Sequence, residues 1–276
     1  MSDIGRDDPA TGRRMLTESA YADDRNLRAR MAIWTYATGR ADPAWRLRPV
    51  DWDGTQRVVD VGCGNGFDLR QLLGRGWCRQ IIGVDLSAGM LATVAGQREP
   101  GRLALLNADA QRLPLADSCA DVGLAMHMLY HVPDVAAAVG ELRRVVRPGG
   151  MLLASANSGD SMAELHDMFD AVISGMLGHP AQALPPLSFT TQTGEDILGA
   201  AFGDITLHRR EVTLAIPDSA PVLGYLDSVR APILANLGEP LDFDVALTQT
   251  AAQVSHVIRA DGSFRVTARS GVFACR

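Results

Sequence analysis

Short apolar runs alternate with amphipathic segments between residues 57 and 157, and this alternation restricts the fold more than any other feature of the chain. The runs that predict buried strands are residues 57–61, 80–85, 103–106, 121–126 and 151–155. The helical patterns between them are residues 67–73, the segment after Ser87 and residues 135–146, which the Pro-Gly-Gly at 148–150 is expected to end. Strands that are apolar throughout and alternate with helices indicate a parallel sheet covered on both faces. The sequence therefore predicts an α/β fold with a doubly wound, mostly parallel sheet.

The alternation of short apolar runs with helical segments ends after residue 157. Residues 205–216 and 264–274 predict two long strands, and we expect this late pair to form an antiparallel C-terminal edge of the sheet. The other segments in this half with a helical pattern are residues 161–177, 219–236 and 242–259.

The first twenty residues are polar and are expected to be loose at the start, and a helical pattern follows from about Asp23. An apolar stripe at near-helical spacing comprises Leu27, Met31, Trp34 and Thr38. We therefore predict an N-terminal helical lid over residues 1–50 and an α/β domain over residues 51–276. The segments near 158–200 and 217–260 are predicted to be insertions that form a helical cap over a substrate.

Three closely spaced glycines, Gly62, Gly64 and Gly66, follow the first predicted strand. Glycine allows a sharp turn and a close approach of a ligand to the backbone. The helix that follows offers free N–H groups and a partial positive charge, which suit a phosphate or a carboxylate. The loop therefore predicts a ligand site, although a simple tight turn would show the same pattern.

Three aspartates, Asp60, Asp85 and Asp109, fall at the carboxyl ends of adjacent predicted strands, which is where open α/β sheets bind ligands. A carboxylate at Asp85 can accept both hydroxyls of an adenosine ribose. One at Asp109 can accept the adenine amino group, although an aspartate at a strand end often only caps a turn. The order of the three acids predicts a ligand that contains adenosine.

The loop departs from the spacing expected of a nicotinamide-dinucleotide site, because its third glycine comes one residue early. Asp60 also places a negative charge beside the loop, which disfavours a pyrophosphate and favours an ammonium group. A ligand with an amino acid at one end and adenosine at the other fits these residues better.

Five segments in order resemble the motifs of class I S-adenosylmethionine-dependent methyltransferases, in particular the small-molecule group that includes quinone-biosynthesis enzymes. They are VVDVGCGNG at 58–66, GVDLSAGML at 83–91, NADAQRLPL at 107–115, HMLYHVPD at 127–134 and LRRVVRPGG at 142–150. The resemblance covers about residues 57–157. It implies a Rossmann-like fold and S-adenosyl-L-methionine as the cofactor, with S-adenosyl-L-homocysteine as the product.

The resemblance also implies a role for individual residues. Asp60 would face the methionine amino group, Gly62 and Gly64 would line the methionine moiety, Asp85 would hold the ribose, and Asp109 with the Ala110 N–H would hold adenine. Further cofactor contacts are expected at Tyr21, Cys63, Leu86, Met90 and Met126.

His127 and His131 are the candidate catalytic bases, because they follow the fourth predicted strand, beside the expected methyl group. Imidazole titrates near neutral pH and could take a proton from a hydroxyl acceptor. Either histidine could instead contact the cofactor or the backbone. The pair favours a hydroxyl oxygen as the acceptor atom, with an amine nitrogen or an activated carbon as alternatives.

The composition of the chain limits the classes of molecule that it is expected to bind. Hydrophobic residues make up 47% of the chain and charged residues 21%, so the chain can bury a core. The net charge of −6 without a basic tract argues against nucleic acid. The four cysteines lack metal-ligand spacing, so no metal is expected, and no apolar run reaches the ~18 residues of a membrane span. We therefore expect a cytoplasmic, biosynthetic enzyme that acts on a small organic molecule.

Two other functions remain open at this point. One is a nicotinamide-dependent oxidoreductase, against which the loop spacing and Asp109 argue. The other is a protein that binds S-adenosylmethionine without catalysis. The sequence does not indicate the oligomeric state.

Overall fold

The computed structural model describes residues 9–39, 42–96 and 101–276, and its strands form one seven-stranded sheet. The strands are β1 (Arg57–Val61), β2 (Gln80–Asp85), β3 (Leu103–Asn107), β4 (Ala120–Met126), β5 (Val146–Asn157), β6 (Ile205–Ile216) and β7 (Phe264–Cys275). Their order across the sheet is β3-β2-β1-β4-β5-β7-β6. The neighbours from β3 to β5 pair in parallel, and β7 pairs antiparallel with β5. The predicted doubly wound sheet with an antiparallel edge is confirmed.

The order of strands reverses between β1 and β4, which lie side by side, with Asp60 paired to Leu124. Open α/β sheets bind ligands in the crevice at such a switch point, beyond the carboxyl ends of the strands. The topology therefore places Asp60 and the glycine loop where a ligand is expected.

The described helices alternate with the strands in the first half and cluster in the second. They are α1 (Pro9–Arg14), α2 (Arg25–Ala32), α3 (Phe67–Gly74), α4 (Ala88–Ala95), α5 (Val135–Val145), α6 (Ala163–Leu177), α7 (Gly194–Gly199), α8 (Ala220–Ser228), α9 (Arg230–Leu237) and α10 (Phe243–Asp261). Side-chain caps fix three of the starts among the described helices: the Ser87 hydroxyl accepts from the Met90 N–H at 3.1 Å, Asp134 caps α5 through the Ala137 N–H at 2.9 Å, and Asp242 caps α10 through the Val245 N–H at 3.1 Å. None of the described helices is long and apolar enough to cross a bilayer.

The chain divides into two compact units, each with its own apolar core. Of the described residues, the first unit comprises 9–39, 160–186 and 211–269, and the second comprises 42–96, 101–159, 187–210 and 270–276. In the second unit the strands bury both faces, since Val58 and Val59 contribute to different apolar clusters. The glycine loop, the three aspartates and both histidines all belong to the second unit.

The end of α5 differs from its prediction. The helix stops at Val145, and residues 148–150 lie within β5 instead of in a turn after the helix. Val146 pairs with Ala120 and Met151 with Val122, so the additional residues of β5 form a bulge in which Gly149 has a φ of +74°. Arg147 Nε donates to Asp121 at 2.6 Å across this bulge. The Pro-Gly-Gly sequence therefore permits a bulged strand as well as a helix stop.

The helix predicted over 219–236 is two helices, α8 and α9, which break at Val229. Pro232 lies in the first turn of α9. A backbone N–H at that position has no partner within the helix, so proline, which lacks the N–H, loses no hydrogen bond there. A continuous helix would require that N–H to reach Ser228, so the proline explains the break.

The predicted loose start of the chain, residues 1–8, lies outside the described residues. Residues 9–20 are helical, which the sequence did not predict: α1 is followed by a wider π-helical turn, and α2 begins at Arg25, close to the predicted start at about Asp23. The predicted stripe is not the buried face, since Trp34 is 39% exposed whereas Ile33 is fully buried. The cause is a change of helical period, because a tighter 3₁₀ turn at Ile33–Tyr36 follows α2 and rotates the side chains relative to an α-helix.

Candidate functional site

The glycine loop between β1 and α3 turns through left-handed backbone conformations. Gly62, Gly64 and Gly66 have φ values of +71°, +54° and +77°, which only glycine adopts readily. The Gly62 N–H donates to the Val84 carbonyl at 2.8 Å, which fixes the loop to β2. A Cβ at Gly62 would lie 2.6 Å from the Cβ of Met128, so glycine is also required for space.

Asp85 connects the loop to the end of β2. Its Oδ2 accepts from the Gly64 N–H at 2.8 Å, and its Oδ1 accepts from the Ser87 N–H at 2.8 Å. Burial raises the pKa of Asp85, and these two backbone hydrogen bonds act against that shift. The structure thus brings Asp85 and Gly64 together, two residues that were predicted to share the site.

Asp60 is a buried carboxylate at the switch point. The residue is 1% exposed, and its Oδ1 has no hydrogen-bond partner. Burial raises the pKa of Asp60 well above its usual range; the negative charges of Asp68 and Asp85 add to this rise, and the positive charge of Arg46 opposes it. An unpartnered buried carboxylate is costly, which makes it a candidate for binding a cationic group.

Arg46 and Asp68 form a buried ion pair that the sequence analysis did not single out. Arg46 Nη2 lies 3.1 Å from each carboxylate oxygen of Asp68, while Arg46 Nε is buried without a partner. Asp68 lies in the first turn of α3, where acids are common, so its sequence position indicates no more than a helix start. Arg46 lies in a short 3₁₀ turn, Trp45–Leu47, which has no periodic pattern to mark it.

Asp109 follows β3 and takes part in a turn. Its Oδ1 accepts from the Gln111 backbone N–H at 2.9 Å and from Gln111 Nε2 at 3.1 Å. The next residue, Ala110, is buried. The turn-capping role that we considered for Asp109 is therefore present, and a contact with adenine remains a prediction.

The remaining cofactor candidates of the second unit lie near the carboxyl ends of β1, β2 and β4. Cys63, Met90 and Met126 are buried, and Leu86 is half-buried. Burial, with the charges of Asp60 and Asp85, raises the pKa of the Cys63 thiol, so Cys63 is a neutral apolar group. These positions are compatible with the predicted contacts.

His127 directly follows β4 with a φ of +54°, which is unusual for a residue other than glycine. Its backbone N–H donates to the carbonyl of Ser155 at 3.1 Å and to the hydroxyl of Ser155 at 3.0 Å. Burial lowers the pKa of His127 to about 3, and the charges of Arg46 and His131 add to the shift. Its imidazole is therefore neutral at physiological pH and is a weak base.

His131 ends a short 3₁₀ turn, Leu129–His131, that follows His127. Its ring packs edge-on against Tyr130, with the ring centroids 4.5 Å apart. The structure brings the two predicted histidines close enough for the charge of His131 to act on His127.

Tyr21 belongs to the first unit. Arg30 Nη1 donates to its hydroxyl at 2.9 Å, and the guanidinium carbon lies 4.6 Å from the ring centroid. In the same unit His166 Nε2 lies 3.4 Å from the Tyr225 hydroxyl. The predicted contact of Tyr21 with the cofactor remains a prediction.

Across residues 9–39, 42–96 and 101–276, no group of three or more potential metal-ligating side chains is found. The carboxylates of Asp60 and Asp85 and the backbone N–H groups of the glycine loop lie at the ends of β1 and β2.

Comparison with known proteins supports this interpretation. A methyltransferase-domain family model matches residues 59–154. The chain is 36% identical over 117 residues to a malonyl-[acyl-carrier protein] O-methyltransferase of Serratia marcescens, covering 42% of this chain and 44% of that protein. It is 34% identical over 130 residues to a demethylmenaquinone methyltransferase of Mycolicibacterium paratuberculosis, covering 47% and 54%. The chain thus spans about half the length of the curated relatives it matches.

Solved structures share the fold at lower identity. Phosphoethanolamine N-methyltransferase 2 of Haemonchus contortus, solved with S-adenosyl-L-methionine, has a TM-score of 0.58 at 19% identity, covering 96% of this chain and 60% of that one. An S-adenosylmethionine-dependent methyltransferase of Mesorhizobium loti has a TM-score of 0.50 at 18% identity, covering 86% and 99%.

The family match covers β1 to β5, and the motifs quoted above lie on the loops and helices that join these strands. The sheet order with its antiparallel β7 edge agrees with the fold of the solved methyltransferases. Residues 59–154 therefore match a methyltransferase domain, and the sheet that contains them has the fold of S-adenosylmethionine-dependent methyltransferases.

Proposed function

We propose that this chain transfers a methyl group from S-adenosyl-L-methionine to a small organic acceptor. The observation that carries the proposal is the buried, unpartnered Oδ1 of Asp60 beside the glycine loop, at the switch point of the sheet. A carboxylate there favours a ligand with an ammonium group over a pyrophosphate. S-Adenosylmethionine joins such a group to adenosine.

The chain's residues would bind the cofactor in three places. Asp60 would accept from the methionine ammonium group, Asp85 from the ribose hydroxyls, and Asp109 with the Ala110 N–H would hold adenine. Asp85 is already oriented by the N–H groups of Gly64 and Ser87, so little reorganisation is needed on binding.

When bound, the cofactor supplies a methyl group on a sulfonium that already carries its leaving group. The protein's part is then to align the acceptor with that group and to exclude water. Because burial lowers the pKa of His127 to about 3, this side chain is better suited to orient an acceptor than to hold its proton. We therefore propose His131 as the better candidate for a general base.

A hydroxyl or carboxyl oxygen is our first choice of acceptor atom. One matched relative is named for O-methylation and another for methylation of demethylmenaquinone, so the acceptor atom varies among the relatives. The lid over residues 1–50 and the substrate cap near 158–200 and 217–260 remain our proposal.

Ligand titration separates this proposal from its rivals. We expect S-adenosylhomocysteine to bind and the reduced nicotinamide dinucleotide not to bind when each is titrated into the protein by calorimetry. Binding of the dinucleotide alone would indicate an oxidoreductase and would disprove the proposal. Methylation of at least one oxygen acceptor in a broad panel, followed by mass spectrometry, would support catalysis, whereas binding without any product would favour a non-catalytic binder.

Asp60→Asn is expected to stabilise the free protein and to weaken cofactor binding. The pKa of Asp60 is higher in the folded protein than in the unfolded chain, so the folded protein keeps a proton that the unfolded chain releases. The free energy of unfolding therefore falls as the pH rises from the unfolded-state pKa through the folded-state pKa. Asparagine does not ionise, so the variant does not lose stability in this way at neutral pH. We expect the thermal unfolding midpoint to rise by roughly 2 °C or more, the shift that about 1 kcal/mol gives in a chain of this size.

The same variant should bind S-adenosylhomocysteine about tenfold more weakly, because a charge-assisted hydrogen bond to the ammonium group is lost. Calorimetry at pH 6 and pH 8 is the measurement. Wild-type affinity should increase with pH, because Asp60 must lose its proton to bind the ammonium group, and this part of the increase should be absent in Asp60→Asn. An unchanged affinity at both pH values would remove Asp60 from the cofactor site.

A further inference from the structure

Four polar side chains of the first unit lie close together, on or beside three of its helices. They are Tyr21, Arg30 of α2, His166 of α6 and Tyr225 of α8. Arg30 Nη1 donates to the Tyr21 hydroxyl at 2.9 Å, and His166 Nε2 lies 3.4 Å from the Tyr225 hydroxyl. The two pairs are neighbours, because α2 packs against α8 and the charge of Arg30 lowers the pKa of Tyr225. We call these four residues the Arg30 cluster.

The Arg30 cluster lines a recess. All four side chains are half-buried, so each keeps some exposed surface. Burial is nevertheless the main cause that raises the pKa of Tyr225 and lowers the pKa of His166. A side chain that protein atoms surround and that solvent still reaches lies in a concave surface, which is where small ligands bind. At physiological pH the Tyr225 hydroxyl therefore keeps its proton and the His166 imidazole is neutral.

The positive charge of Arg30 is not neutralised by any described carboxylate. Its hydrogen bonds go to neutral oxygens, namely the Tyr21 hydroxyl and the carbonyls of Asn26 and Ala20 at 3.2 and 3.4 Å. A guanidinium has five N–H groups, so these three bonds leave two of them for another partner. A half-buried cation with N–H groups to donate is well suited to bind an anion.

Tyr225 adds a hydroxyl donor to this positive charge. When His166 Nε2 carries the imidazole hydrogen, it donates to the Tyr225 oxygen and leaves the hydroxyl hydrogen for a ligand. The acids of α6, Asp167 and Asp170, raise the pKa of His166, but neither of them acts on the pKa of Tyr225. An anion that contacts Arg30 and the Tyr225 hydroxyl would therefore not meet a described carboxylate there.

We propose that the Arg30 cluster binds the carboxylate of the methyl acceptor, so that the acceptor is an organic acid held by Arg30 and the Tyr225 hydroxyl. This inference rests on the function proposed above and narrows its small organic acceptor to one chemical class. A single guanidinium compensates one negative charge, which a carboxylate carries at neutral pH, whereas a phosphate monoester carries nearly two. The aromatic rings of Tyr21, His166 and Tyr225 favour an apolar body next to the carboxylate.

The test titrates two matched pairs of probes into the full chain and measures binding by ligand-detected nuclear magnetic resonance, which detects weak ligands. The pairs are benzoate with benzamide and hexanoate with hexanamide, so each acid has a neutral partner of the same size. We expect the wild type to bind at least one acid about tenfold or more tightly than its amide, because the amide lacks the charge that Arg30 would bind. In the acceptor panel described above, the methylated products should come from acids and not from their amides.

Two variants assign this preference to the cluster. Arg30→Gln should weaken binding of the acid by at least about tenfold and Tyr225→Phe by at least about threefold, while both variants bind the amide as the wild type does. Arg28→Gln is the matched control, since Arg28 is an exposed residue of the same helix and pairs with Asp24. It should keep the preference of the wild type for the acid.

The other outcomes overturn the proposal or the proposed function separately. Equal binding of acid and amide in both pairs, no binding of either acid, or an unchanged preference in Arg30→Gln would disprove the carboxylate site alone. If Arg30→Gln weakens S-adenosylhomocysteine as much as it weakens the acid, Arg30 only supports Tyr21 and the proposal is wrong. If Arg30→Gln does not fold, Tyr225→Phe decides, because its preference for the acid must fall. A wild type that does not bind S-adenosylhomocysteine would instead disprove the proposed function, whichever acids bind.

Discussion

Replacing Asp85 with alanine is expected to weaken the binding of S-adenosylhomocysteine by at least about tenfold and by up to ~100-fold. A hydrogen bond to a charged group contributes roughly 1.5–3 kcal/mol, and each 1.4 kcal/mol is a factor of ten in affinity. The carboxylate is held in place by the N–H groups of Gly64 and Ser87 at 2.8 Å, so alanine removes both the ribose acceptor and a contact that fixes the glycine loop. Calorimetric titration of the purified variant measures the change.

A ligand that lacks one ribose hydroxyl separates these two effects of Asp85→Ala. The 2′-deoxy form of S-adenosylhomocysteine should bind the wild type more weakly than the parent does, but the variant should bind both about equally. Asp53→Ala is the control, since Asp53 is exposed and bonds to Thr55. If the variant still distinguishes the two ligands as the wild type does, Asp85 does not contact the ribose.

Much of the fold could be predicted because local sequence patterns determine it. The runs at 57–61 and 80–85 each contain consecutive apolar residues, 58–59 and 81–82, as expected of strands buried on both faces, and they match β1 and β2 to the residue. The placement of Asp60, Asp85 and Asp109 at adjacent strand ends followed directly from that alternation. The bulge of β5 could not be predicted in the same way, because Pro148 and two glycines are equally compatible with a turn.

The buried ion pair shows where sequence patterns stop being informative. Arg46 and Asp68 are ordinary charged residues in their local segments, one in a short turn and the other at a helix start. They become a pair only because the chain before β1 packs against α3, which is a tertiary event without a periodic signal. The unpaired Arg46 Nε therefore had to be found from the folded chain.

Gly62→Ala is expected to destabilise the protein by about 2–5 kcal/mol. A left-handed backbone conformation costs a residue with a side chain roughly 1–2 kcal/mol, and forcing an extra methyl into a packed site typically costs a further 1–3 kcal/mol. Gly62 has a φ of +71°, and its new Cβ would lie 2.6 Å from the Cβ and 2.8 Å from the Cγ of Met128. The Met128 Cβ is attached to the main chain, so the clash cannot be relieved by rotating the end of a flexible side chain.

Chemical denaturation with and without S-adenosylhomocysteine is the measurement for Gly62→Ala, because the ligand stabilises only a protein that can bind it. We expect a lower midpoint in the free variant and a smaller ligand-induced increase than in the wild type, since the displaced loop carries the Gly64 N–H that orients Asp85. Gly140→Ala is the matched control: Gly140 is an exposed position within α5 with no atom near its added Cβ, so alanine should stabilise that helix by about 0.5–1 kcal/mol. A loss of stability equal in the two variants would show that the effect at Gly62 is not specific to the loop. Full stability with lost ligand binding would mean that Met128 moves aside and that Gly62 is needed only for ligand approach.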